Sequence, residues 1–137
     1  MRKWISFFMA LPLLAACAAG GNSVSAGDIA SNRYVLQSVD GAAFSNKERT
    51  PEIAFSATMR VTGQVCNRFM GQGTLKDGVL TVPQMASTMM LCADQQLNAM
   101  EAELAAMLRQ GARISLEGDT LTLQNDARRY VYRRQGN

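Results

Sequence analysis

Cysteine, methionine and paired charge are the residue types in this chain that could carry chemistry. The stretch GQVCNRFMGQG (63–73) sets Cys66 among three glycines beside Asn67 and Arg68, and QMASTMMLC (84–92) sets Met85, Met89 and Met90 ahead of Cys92. A thiolate beside a cation such as Arg68 would be an activated nucleophile or redox group. A thiolate with thioethers, as at Met89, Met90 and Cys92, would select copper(I). Plainer roles stand beside these: Cys66 and Cys92 paired as a scaffold disulfide, and flexible methionines filling irregular core space.

The chain has no histidine. Cys-His and Ser-His-Asp arrangements and histidine-dependent zinc sites are therefore excluded. The glycines of 63–73 lack the Lys-Ser/Thr pair that a phosphate loop needs. Gly63, Gly71 and Gly73 are read instead as points of close backbone approach or bulging, and Asn67-Arg68 as the corner between two strands. Carboxylates are scattered through turns and one helix. Glu101 and Glu103, the nearest to an acidic pair, point apart at their two-residue helical spacing. No catalytic set, metal site or cofactor follows. Arg68, with Asn67 and Phe69 beside it, is a candidate partner-binding group if exposed; otherwise it holds a carboxylate within the fold.

The compartment decides what the sulfurs do. The opening MRKWISFFMALPLLAAC has Arg2 and Lys3, then an apolar run from Trp4 to Leu14, then small residues. This is an export signal, too short for the roughly 20 residues of a membrane-spanning helix. Leu14-Ala15-Ala16-Cys17 resembles a bacterial lipobox, so residues 1–16 are expected to be cleaved and Cys17 to be lipidated. Acyl chains contribute about 0.8 kcal/mol per buried methylene, and two or more give stable anchoring. Ala18, in place of an inner-membrane-retaining aspartate, implies transfer to the outer membrane, with the body facing the periplasm. The chain carries 14 basic and 11 acidic residues. Loss of Arg2 and Lys3 leaves 12 against 11, net +1, which with export argues against nucleic acid as a partner. In an oxidising compartment Cys66 and Cys92 form an even remainder, and a disulfide between them is expected.

The elements that must position these groups follow from periodicity. Residues 17–32, small and polar, read as a lipidated N-terminus and flexible tether with at most a short ordered end; the domain is placed at 33–134. RYVLQSV (33–39) reads as a strand ending at the turn pair Asp40-Gly41. Alternation continues at Ile53 and Phe55 and through Met59, Val61, Gly63 and Val65. A hairpin is expected about Lys76-Asp77-Gly78. Leu97, Met100, Leu104, Met107 and Leu108 recur at helical steps between a capping Asp94 and a terminating Gly111. Three further strands are expected near 113–116, 120–124 and 129–133. One helix cannot enclose such a sheet from both sides. The fold class is therefore mainly β, within α+β: a curved antiparallel sheet or partial β-barrel with one principal helix packed against an opening.

TPEIAF at 50–55, MRVTGQVCNRFMGQGTLKDGVLTV at 59–82 and the methionine-cysteine run ahead of LNAMEAELAAML together resemble the META-domain (HslJ-type) family of bacterial envelope proteins. The resemblance covers about residues 33–132. It implies a compact, mostly β domain with one principal helix, and association with heat shock, stress and novobiocin tolerance. It implies no catalytic residues. The functional expectation is a non-enzymatic, outer-membrane-anchored lipoprotein that binds an envelope protein or an apolar ligand under stress. The alternative is a copper(I)-binding or thiol-redox protein using Cys66, Cys92 and the methionine cluster.

Overall fold

The computed structural model describes residues 23–136. The expected leader and the expected lipidation site Cys17 lie outside the described residues. Elements run in the order α1 (Ala26–Ile29), β1 (Asn32–Val39), β2 (Ala42–Ala43), β3 (Glu52–Phe55), β4 (Arg60–Gln64), β5 (Arg68–Gln72), β6 (Thr74–Lys76), β7 (Val79–Thr81), β8 (Met85–Ser87), α2 (Gln95–Gln110), β9 (Ala112–Glu117), β10 (Thr120–Gln124) and β11 (Arg129–Gln135).

Ten strands form one path in the order β6-β7-β9-β10-β11-β1-β3-β4-β5-β8, with β2 paired to the end of β1. Neighbours along it are antiparallel. The sheet is a curled half-barrel, as the alternation predicts. Gly73 explains much of the curl. It is the single residue between β5, near one end of the path, and β6 at the other. Its amide donates to the Met59 carbonyl at 2.9 Å. A Cβ there would lie 2.8 Å from Val61 Cγ2, so only glycine lets the chain cross so close to β4.

Period-two alternation sends Tyr34, Leu36, Ile53, Phe55, Val61, Leu121, Leu123, Tyr130 and Tyr132 into the interior, all buried. The stripe Leu97, Met100, Leu104, Met107 and Leu108 seats α2 against that interior. Asp94 caps the helix by accepting from the Gln96 amide at 2.8 Å, and Gly111 ends it at φ 113°. The C-terminal end of α2 is tied to the sheet where the Val82 amide donates to the Leu108 carbonyl at 2.7 Å.

Order begins ahead of Arg33. α1 is capped by Ser25 and Asp28, which exchange hydrogen bonds. Ile29 is fully buried and Val24 packs against the core. One isoleucine in a small, polar segment carries no periodicity, and α1 is the short ordered end that the tether reading allows.

The Tyr34 hydroxyl is enclosed in the interior and has no hydrogen-bond partner among the described residues. Burial pushes its pKa up and keeps it neutral. An unsatisfied buried hydroxyl costs about 1–3 kcal/mol. Tyr34→Phe keeps the ring, which meets Phe55 edge-on with centroids 6.0 Å apart. We expect that substitution to leave stability unchanged or raise it by about 1 kcal/mol in denaturant titrations; a loss of that size would show that the hydroxyl is satisfied.

Candidate functional site

The cysteines and the asparagine singled out by the sequence meet at one end of the barrel. β4 and β5 are joined there by Val65, Cys66 and Asn67, and β8 runs into the loop 88–94 that leads to α2. Cys66 and Cys92 form a disulfide with Cα atoms 5.7 Å apart. Closing that loop contributes roughly 3 kcal/mol on the chain-entropy model. Both sulfurs are committed, so neither is the free thiolate that a nucleophile or a copper(I) ligand requires.

Asn67 is only 6% exposed and spends its whole side chain internally. Its Nδ2 donates to Glu101 Oε2 and to the Met90 carbonyl, each at 2.8 Å, and its Oδ1 accepts from the Met90 amide at 2.6 Å and the Thr88 hydroxyl at 3.0 Å. Its own amide donates to Glu101 Oε1 at 2.5 Å. Around this clamp, Asn98 brackets the Cys92 backbone through both of its amide groups, and Arg49 donates to the Cys66 carbonyl at 2.8 Å. Glu48 accepts from the amides of Ala93 and Asp94. Sequence reasoning missed Arg49, Glu48, Asn98 and Glu101 here. They lie up to 46 residues from their partners, and no local spacing marks them.

The expected partner-binding trio is therefore divided. Arg68 is exposed, while Asn67 is consumed by the clamp and Phe69 is buried at 7%. Phe69 lies over Gly63, directly opposite on β4. The methionine run also departs from its expected role as core filler. Met85 packs against the core from β8, but Met89, Met90 and Leu91 are 98%, 59% and 89% exposed. The clamp holds the Met90 backbone from within, and the side chains on either side of it face outward. These three residues form an exposed apolar finger, tied down at Met90.

Beside the clamp, between β8 and α2, lies a cleft of about 290 Å³. Phe69, Met85, Ala102, Ala105 and Leu108 give it apolar walls, and polar groups mark its rims, including Asn98 and Glu101 toward the clamp and Arg109 further along α2. A second cluster, on another face of α2, gathers Asp40, Glu103, Arg128 and Tyr130. Arg128 bonds Asp40 at 2.8 Å and Glu103 at 2.9 Å, and Tyr130 donates to Glu103 at 3.4 Å. The two carboxylates neutralise one guanidinium, so the cluster is a latch between α2 and two turns. Arg128 is held more firmly protonated by these bonds, first that to Glu103. Burial first, then the Glu103 charge, pushes the Tyr130 hydroxyl up, which keeps it neutral. Arg128 and then the Arg129 amide hold Asp40 below the usual carboxylate range.

A curled antiparallel half-barrel with one covering helix, a disulfide-pinned loop and a cleft beside it defines the class. The family model for the META domain matches residues 27–137, and the chain belongs to the META-domain family. It is 36% identical over 133 residues to the heat shock protein HslJ of Escherichia coli (strain K12), across 96% of this chain and 95% of that protein. An NMR structure of a protein with 36% identity superposes with a TM-score of 0.74, over 80% of this chain and 94% of its own. Another, from Burkholderia xenovorans, has a TM-score of 0.64 at 20% identity, over 88% and 94%, and shares the fold.

Two titrations test the site. Asn67→Asp sets a carboxylate against Glu101 and removes the donor to Met90. The like charge raises the pKa of the introduced carboxyl above its unfolded value, so the penalty is full at neutral pH and shrinks as pH falls toward about 4. Thermal midpoints of variant and parent are expected to converge on acidification; a pH-independent gap would contradict the clamp. For Asp40, whose folded pKa is depressed, the stabilising contribution is present above the unfolded value near 4 and is lost as pH falls through the folded one. Asp40→Asn is expected to flatten that acid limb, and an unchanged limb would remove the latch from the account.

Proposed function

We propose that this chain is a non-catalytic binding protein of the bacterial envelope, anchored to the outer membrane through lipidated Cys17 and facing the periplasm. Its ligand is an apolar segment of an envelope protein, or an apolar small molecule, received in the cleft between β8 and α2 under heat or related stress. The observation that carries this reading is the cleft itself: apolar walls of Phe69, Met85 and Leu108, small Ala102 and Ala105 on α2, and polar groups at the rims. Ligand sites typically pair apolar walls with a few polar groups that fix orientation, and this cleft, at the small end of such sites, offers both. The printed name of the E. coli relative, a heat shock protein, supports the link to stress, and the lipobox-like Leu14-Ala15-Ala16-Cys17 supports the anchor.

Ala105 is half-buried and lines the cleft. Ala105→Arg is expected to fill it while leaving the α2 stripe and the disulfide in place. In a host lacking the chromosomal gene, the variant should fold with an unchanged far-UV spectrum yet fail to restore survival after heat shock, and Cys17→Ser should fail likewise. Full rescue by a folded Ala105→Arg protein would exclude the cleft.

A further inference from the structure

β11, β1, β3, β4 and β5 are consecutive neighbours in the sheet. Their inward residues build the core, so the alternate residues form one outer face. From it project Arg129 and Arg133 of β11, Arg33 of β1, Arg60 of β4 and Arg68 of β5, all exposed. Of the 11 acidic residues in the chain, Glu52 alone stands on these strands, and it is tied to Arg33 at 2.7 Å. Arg60, Arg68, Arg129 and Arg133 make no ion pair among the described residues. Five of the chain's 14 basic residues thus share one face that carries a single carboxylate.

The register orders that side. Arg133, Val35, Glu52, Gln64 and Arg68 lie in one row across the five strands, and Arg33, Ala54, Thr62 and Met70 in the next. Four interstrand spacings make the array about 19 Å wide. Guanidinium forks match phosphate oxygens. No aromatic residue faces outward on these strands, so a single-stranded nucleic acid would find no stacking platform.

Apolar groups accompany the cations. Met70 is 44% exposed, with Arg60 Nη2 3.2 Å from its sulfur. The Met89, Met90 and Leu91 finger borders the face, because the Thr88 amide donates to the Arg68 carbonyl at 3.0 Å. Cations beside protruding apolar side chains suit the headgroup and acyl layers of a membrane. A soluble polyanion would gain nothing from the exposed Met and Leu.

We infer that this face docks on an anionic phospholipid surface, with the finger entering its apolar layer. α1 enters at the Asn32 and Phe55 end of the strands, and the finger leaves at the Gln64 and Arg68 end. The inference rests on neither the cleft nor the lipid on Cys17.

Residues 23–137 contain the whole described core and both disulfide cysteines, so the test uses that unlipidated body. In co-sedimentation at low salt it should partition onto phosphatidylcholine vesicles containing phosphatidylglycerol and not onto pure phosphatidylcholine. Arg60→Gln, Arg68→Gln and Arg133→Gln should each weaken partitioning about fivefold. Met89→Ser with Leu91→Ser should abolish the fraction that survives high salt. All variants should keep the parent's thermal midpoint, since none touches the core. Equal partitioning on both vesicle types, parent-like binding when Arg60→Gln, Arg68→Gln and Arg133→Gln are combined in one chain, or binding to heparin without binding to vesicles would overturn the inference. The last result would assign the face to a soluble polyanion.

Discussion

The structure turns on one buried side-chain amide. Asn67 links the β4–β5 turn, the 88–92 loop and the first turns of α2 through Glu101, Thr88 and Met90, and the Cys66–Cys92 disulfide closes the same junction covalently. A buried polar network of this kind is strong only when every member is satisfied. Here both ends of the amide and both Glu101 oxygens are used. A loop with 98% and 89% exposed Met89 and Leu91 would otherwise collapse or fray. The clamp makes its apolar exposure a fixed property of the surface.

The same junction recasts the chemistry that the sequence offered. Cys66 beside Arg68 looked like a thiolate beside a cation. In the fold the sulfur is bonded to Cys92, and Arg68 points to the outer face of β5 with Met70 and Gln72. The carboxylates nearest to an acid pair also part company: Glu101 serves the clamp, while Glu103 on another face serves Arg128. The two carboxylates of α2 are thus occupied in joining the helix to its neighbours, and the cleft beside it sets apolar Phe69, Met85 and Leu108 against polar Ser87, Asn98 and Arg109.

What was legible in the sequence was what depends on short-range period. Leu97 to Leu108 at helical steps and the alternations of β1, β3, β4, β9, β10 and β11 gave the elements, and the mismatch of many strands with one helix gave the curl. The disulfide was legible too, from cysteine arithmetic joined to the expectation of an oxidising compartment. Four things were not. α1 rests on one buried Ile29 in a polar segment; β8 is three residues long, and only its pairing with Phe69, Met70 and Gly71 makes it a strand. The clamp joins residues 21 to 34 apart by hydrogen bonds that leave no trace in hydropathy. Methionines in a run read as core by composition, and only the long-range clamp decides that two of them face water.

Amide hydrogen exchange on the oxidised chain tests the clamp most directly. Met90 donates its amide to Asn67 Oδ1 at 2.6 Å, whereas Met89 and Leu91 have no such bond among the described residues. The account predicts a slowly exchanging Met90 amide, comparable to those of the core strands, between two neighbours that exchange freely. A Met90 amide as fast as those of Met89 and Leu91 would contradict it.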